Sequence, residues 1–110
     1  MHHQDATMQA CIQDCLHCHE VCLGMTSHHC LTAGGKHSDP VHLRLMLACA
    51  EICRAAASIM LINVEQHKNV CSACAEICEA CAASCEKIGG MEPCVEACLR
   101  CAKSCREMAA

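Results

Sequence analysis

Residues 71–85 read Cys71-Ser72-Ala73-Cys74-Ala75-Glu76-Ile77-Cys78-Glu79-Ala80-Cys81-Ala82-Ala83-Ser84-Cys85. Five cysteines stand at steps of three, four, three and four. That is the rhythm of the a/d seam of a heptad, so all five thiols fall on the helix face that looks into a bundle. Between them lie Ala, Glu, Ser and the single Ile77, with no alternating β-branched run to argue for a strand. The beat continues downstream at Cys94, Cys98, Cys101 and Cys105, and it is already present upstream at Cys11, Cys15, Cys18 and Cys22. A further segment keeps it with other residues: His42, Met46, Cys49, Cys53, Ala56 and Met60. Extending the stripes reaches Met8, Met25, His67, Met91 and Met108, so the thiol column is expected to end in thioethers and imidazoles.

Breaks divide these runs. In Ala33-Gly34-Gly35-Lys36-His37-Ser38-Asp39-Pro40 the paired glycines end one helix, while Asp39 followed by Pro40 has the form of an N-cap and first helical residue. Gly89-Gly90, followed by Glu92-Pro93, makes a second break, and Asn63 a weaker one. The sequence therefore predicts helices near 6–32, 40–62, 66–88 and 92–108, forming one domain over residues 1–110. Short connections favour an all-α fold: an antiparallel four-helix bundle with a Cys-lined core.

Composition narrows the chemistry. The chain has 110 residues, of which 16 are Cys and none is Phe, Tyr or Trp. Without aromatic side chains the core must be filled by Ala, Leu, Ile, Met and the thiols, and stacking on nucleic-acid bases is excluded. A net charge of −4 offers no basic surface to nucleic acid or to anionic lipid. The N-terminal residues lack the pattern of a secretion signal, and no stretch approaches about 18 uncharged apolar residues. A cytosolic protein is expected, in a compartment that keeps thiols reduced and turns a high cysteine count towards metal or redox chemistry.

One or two cysteines in a bundle core would be ordinary, whereas Ala, Leu and Val fill the a/d positions of most bundles, so the stripe is more than small apolar filling. Disulfides within a helix are disfavoured, because residues three or four apart hold their Cβ atoms about 5–6 Å from each other and a disulfide needs about 3.5–4.5 Å. A metal ion between two sulfurs, with bonds of about 2.3 Å, spans the gap. Soft thiolates select Cu(I), zinc or iron–sulfur clusters. Four zinc ions would leave sixteen thiolates with eight uncompensated negative charges, costly in a dry core, whereas one Cu(I) per thiolate leaves none. A cluster fits poorly, since the stripe from Cys71 to Cys85 runs about 21 Å along its helix. Multiple Cu(I) ions are the preferred cargo; a zinc-thiolate buffer or an iron–sulfur electron-transfer protein is the alternative.

The run from Cys71 to Cys85, echoed by Cys94-Val95-Glu96-Ala97-Cys98-Leu99-Arg100-Cys101-Ala102-Lys103-Ser104-Cys105, resembles the bacterial copper storage proteins, in their cytosolic branch. The resemblance covers essentially the whole chain. It implies a bundle filled with many Cu(I) ions mostly bridged by Cys pairs, a homotetramer, and a role in cytosolic Cu(I) storage and detoxification. Its ligands would be Cys11, Cys15, Cys18, Cys22, Cys49, Cys53, Cys71, Cys74, Cys78, Cys81, Cys85, Cys94, Cys98, Cys101 and Cys105. The second helix carries only Cys49 and Cys53, so copper density beside it should be lower.

Cys30 stands about 80° off the stripe at the usual helical period and joins the ligand set only if the helix ends or tightens there. His42 and Met46, four apart and leading to Cys49, are the favoured entrance, at the end expected to gather Met25, His29 and Met91 as well. Met8, Met60, His67 and Met108 would form the opposite end. His2 and His3 receive no role. Leu43, Leu45, Leu47, Ile52, Ile59, Leu61 and Ile62 surround the second helix with apolar surface beyond its core face, which calls for self-association. Glu20, Glu51, Glu76, Glu79, Glu86, Glu96 and Arg100 are assigned to solvated faces. No activated thiol stands apart from the stripe, so a binding protein is expected, with no enzymatic turnover and with a copper chaperone as a possible delivery partner.

Overall fold

A computed structural model of the chain describes residues 5–110; His2 and His3 lie outside the described residues. Four long helices carry the fold: α1 (Ala6–Met25), α2 (Pro40–Ile62), α3 (His67–Ile88) and α4 (Glu92–Ala109). Beyond α1 the chain stays helical through a π-helical turn at Thr26–Cys30 and an α-turn at Leu31–Ala33, and a 3-10 turn at Gly35–Ser38 then leads to α2. The described residues contain no strand.

The ends are set where the sequence places its stop and start residues. The Asp5 carboxylate accepts from the Met8 amide at 2.8 Å, and the Asp39 carboxylate accepts from the amides of Val41 and His42, with Pro40 as the first helical residue. Asn63, in the left-handed region at φ 68°, closes α2. Gly89 and Gly90, at φ 82° and 71°, reverse the chain between α3 and α4.

Each helix packs on two neighbours: α1 on α2 and α4, and α3 on α2 and α4. The sulfur contacts fix the directions. Cys22, late in α1, meets Cys49, early in α2; Cys53 meets Cys74, and Cys11 meets Cys105, so successive helices run antiparallel around a square. The bundle measures 50 × 21 × 19 Å.

Its interior contains all sixteen cysteines, each with no exposed surface, together with Ala50, Ala56, Ala57, Ala75, Ala82, Ala97, Ala102, Met8, Met46, Met60, Met91 and Ile12. Small alanines alternate with thiols, which lets four helices approach without aromatic side chains. All seven glutamate and arginine residues assigned to solvated faces are exposed.

Helix α2 is unlike the others. Val41, Leu47, Leu61 and Ile62 are exposed on it, while His42, Met46, Cys49, Cys53 and Met60 are buried against the bundle. Among the described residues it is the one helix long and apolar enough to cross a membrane by length and composition, with a window of mean hydropathy 1.9 that is 39% buried. The core-facing stripe of Cys, His and Met accounts for the buried part.

Because thiols pack here as small apolar side chains, the reduced, metal-free chain should already give the circular dichroism of a helical protein. A coil signal that becomes helical only on adding metal would contradict this packing. Asp39→Ala should cost about 1 kcal/mol in denaturant unfolding by removing the cap of α2.

Candidate metal centre

The a/d spacing turns every stripe cysteine towards the bundle axis, and the thiols meet there across helices. All sixteen cysteines are free. Sulfur–sulfur distances include 3.5 Å for Cys53–Cys78 and for Cys15–Cys101, 3.6 Å for Cys22–Cys98 and Cys15–Cys105, and 3.7 Å for Cys49–Cys78. Neighbours on one helix are only slightly farther apart: 3.8 Å for Cys18–Cys22, 3.9 Å for Cys74–Cys78 and 4.0 Å for Cys101–Cys105. A disulfide sulfur pair stands at about 2.05 Å, so none of these is bonded.

Two metal–sulfur bonds of about 2.3 Å laid end to end reach about 4.6 Å, so an ion enters such a pair by a bent geometry or by an opening of the sulfurs of about an ångström. Within 4.8 Å the sulfurs form four tetrads and a triad: Cys15, Cys74, Cys101 and Cys105; Cys53, Cys74, Cys78 and Cys101; Cys18, Cys49, Cys53 and Cys78; Cys18, Cys22, Cys49 and Cys98; and Cys11, Cys71 and Cys105. The tetrads share members. Cys18, Cys49, Cys53, Cys74, Cys78 and Cys101 each belong to two, so no more than two tetrads can be filled as separate tetrahedral sites. This is a donor column in which sulfurs are shared, the arrangement that bridging thiolates require.

Cys30 joins the column by a route opposite to the one expected. The helix does not tighten there; it widens. The Leu31 amide donates to the Thr26 carbonyl, five residues back, and the Thr26 hydroxyl donates to the Cys22 carbonyl at 2.7 Å. One extra residue in the turn brings Cys30 from about 80° to about 20° off the stripe. Its thiol is fully buried and lies 3.5 Å from His42 Nε2 and 3.9 Å from the Met91 sulfur.

His42 is held by its other nitrogen, Nδ1, at 2.9 Å from the Ser84 hydroxyl, so Nε2 is the atom presented to the thiol. Met46 places its sulfur 3.5 Å from both Cys81 and Cys85. At this end of the bundle the structure therefore brings together Cys30, His42, Met46, Cys81, Cys85 and Met91. Met25 is only partly buried, and His29 turns to His37 instead.

At the opposite end Met8 and Met60 are buried and Met108 is partly so. His67 is a correction: its Nδ1 lies 2.7 Å from the Val64 carbonyl, in the turn before α3, and the imidazole does not extend the thiol column. A ring nitrogen capping a local carbonyl competes successfully with a distant soft site. Met91 stands at the end where the α4 stripe places it, against Cys30, whereas Ser84 was not among the expected positioning residues, and nothing in the spacing marks it as the partner of His42.

With this geometry in place, the comparisons identify the class. A family described as copper storage protein matches residues 4–110, and the chain belongs to that family. Among solved structures, it is similar to a protein from Nitrosospira multiformis, with 53% identity over 96% of this chain and 97% of the other and a TM-score of 0.94. It is also similar to the Cu(I)-bound copper storage protein BsCsp3, with 36% identity, coverage of 94% and 99%, and a TM-score of 0.86. Apo copper storage protein 3 from Bacillus subtilis matches at 37% identity, with coverage of 93% and 98% and a TM-score of 0.77. No curated protein matches the chain.

Burial, with the nearby Cys85 charge second, pushes the Cys30 thiol above its ordinary value, and burial draws the His42 imidazole below its own. A thiol whose folded pKa is raised contributes stability below the unfolded thiol pKa that is lost above it. An imidazole whose folded pKa is lowered contributes stability above the unfolded imidazole pKa that is lost below it. The metal-free protein should thus be most stable between about pH 6.5 and 8.5, with thermal unfolding moving to lower temperature on either side.

Deleting Ser27, an exposed residue of the π-turn, removes the extra residue and leaves Cys30 seven residues after Cys22, about 20° from the stripe on a regular α-helix. The expected result is a folded, reduced variant whose thiols react with a thiol reagent no faster than the parent's; one rapidly reacting thiol would contradict this account of the turn.

Proposed function

We propose that the chain stores and detoxifies Cu(I), binding many ions per molecule through inward-facing thiolates. The observation that carries this reading is the shared sulfur column: sixteen buried, unbonded thiols, ten of which form four overlapping tetrads. Charge supports it too, because a monovalent ion for each thiolate leaves the filled core neutral. The ligands are Cys11, Cys15, Cys18, Cys22, Cys30, Cys49, Cys53, Cys71, Cys74, Cys78, Cys81, Cys85, Cys94, Cys98, Cys101 and Cys105, with His42 and Met46 at one end. Entry is at the end that holds His42, Met46, Met91 and Cys30, where neutral soft donors bind an ion weakly and pass it to Cys81 and Cys85.

Storage needs no turnover, and the reading gives the protein no catalytic residue. It acts in the reducing cytosol, where the thiols stay available. The exposed apolar flank of α2, with Val41, Leu47, Leu61 and Ile62, is covered by further copies of the chain, and a homotetramer is the assembly the family resemblance implies. A copper chaperone would deliver to the Met46 end.

Anaerobic titration with Cu(I) against a competing chelator tests the reading. Uptake should continue well past four equivalents and approach one ion per thiol; saturation at two to four would fit tetrahedral zinc-type sites. His42→Ala and Met46→Leu should slow loading while leaving the capacity within about two ions of the parent.

A further inference from the structure

Outside the thiol column, two histidines break a rule that the rest of the described chain obeys. His29 Nε2 and His37 Nδ1 are buried nitrogens without a hydrogen-bond partner, and among the described residues no other buried side-chain nitrogen or oxygen lacks one. Leaving such a group unpaired costs about 1–3 kcal/mol, so a missing partner is expected.

Both orphans sit on rings that touch each other. His29 comes from the π-turn and His37 from the 3-10 turn, and their centroids are 4.8 Å apart with the planes at 84°. The chain is bent to make the meeting: Gly34 and Gly35 take φ 69° and 57°, and the Ser38 hydroxyl donates to the Cys30 carbonyl at 2.7 Å, tying the 3-10 turn onto the π-turn.

We propose that His29 and His37 form a two-imidazole site for a borderline divalent cation of the zinc class, separate from the thiol core. The ring separation selects the kind of ion. With an ion–nitrogen bond of about 2.1 Å and a ring radius of about 1.1 Å, each centroid would stand about 3.2 Å from the ion. Centroids 4.8 Å apart then subtend about 97° at the ion, within the range of four- to six-coordinate divalent cations. A linear two-coordinate cuprous ion would hold the rings about 6.4 Å apart on the same bond length, well beyond what is seen. The pair contains no sulfur and no carboxylate, so its donors suit a borderline ion, with water completing the shell. Divalent ions of this class would be kept from it while free thiolates compete, and they would reach it once the core is full.

The test uses the full chain, labelled with 15N and loaded anaerobically with Cu(I), and adds Zn(II). Copper content measured beforehand separates a failure to load from a failure of this site. Long-range imidazole spectra should show His29 Nε2 and His37 Nδ1 moving together to coordinated values and saturating at one equivalent. His29→Gln and His37→Gln should each abolish the change at the remaining ring, with helicity and copper capacity retained. Orphan nitrogens that hold their positions through excess Zn(II), or that move in the parent and still move in both variants, would overturn the proposal. A His17→Gln variant, altered at an exposed histidine of α1, should behave as the parent; loss of the response there would equally count against the pair.

Discussion

Sixteen thiols cannot all ionise in one dry interior unless something of opposite charge enters with them. That constraint governs the rest of the molecule. Protonated, the thiols are small apolar groups that allow helices to pack closely around alanines, and the fold needs no metal to exist. Ionised, they would repel one another at separations such as 3.5 Å for Cys53–Cys78, so each lost proton must be replaced by a cation. A singly charged soft ion does this one for one. The core is thus built to be stable in two states, one filled with protons and one filled with metal.

Much of this architecture is visible in the order of residues. Steps of three and four from Cys71 to Cys85 place five sulfurs on one face, and the same beat in the first and last helices brings Cys11 against Cys105 and Cys22 against Cys98. Asp39-Pro40, Asn63 and Gly89-Gly90 mark helix ends because capping and left-handed backbone are local requirements. Long-range geometry was less accessible. Cys30 falls off the stripe on an ideal helix, and only a wide turn fastened by the Thr26 hydroxyl restores it; a threonine mid-helix gives little warning of that. His67 continues the periodicity of its helix, yet a carbonyl one turn away captures its ring. The meeting of His42 with Ser84, and of His29 with His37, depends on how separate segments fold over the bundle end, which periodicity does not encode.

The two ends of the bundle differ in kind. One combines a thiol, an imidazole and two thioethers around Cys30, His42, Met46 and Met91, with two more thiols behind Met46. Neutral donors there would gain nothing from charge neutralisation, which is why the proposed function places entry at that end. The other end closes with Met8 and Met60 buried and with its histidine turned to the backbone. Along the flank, α2 combines a core-facing stripe with an apolar outer surface, so the helix poorest in cysteine is also the one that exposes Val41, Leu47, Leu61 and Ile62.

X-ray absorption at the copper edge of the fully loaded chain tests the central claim most directly. Copper held in the column should appear as Cu(I) in a shell made almost entirely of sulfur, with copper neighbours close enough to scatter, because shared thiolates bring adjacent ions together. A first shell dominated by nitrogen or oxygen, or isolated ions with no copper neighbour, would contradict the account.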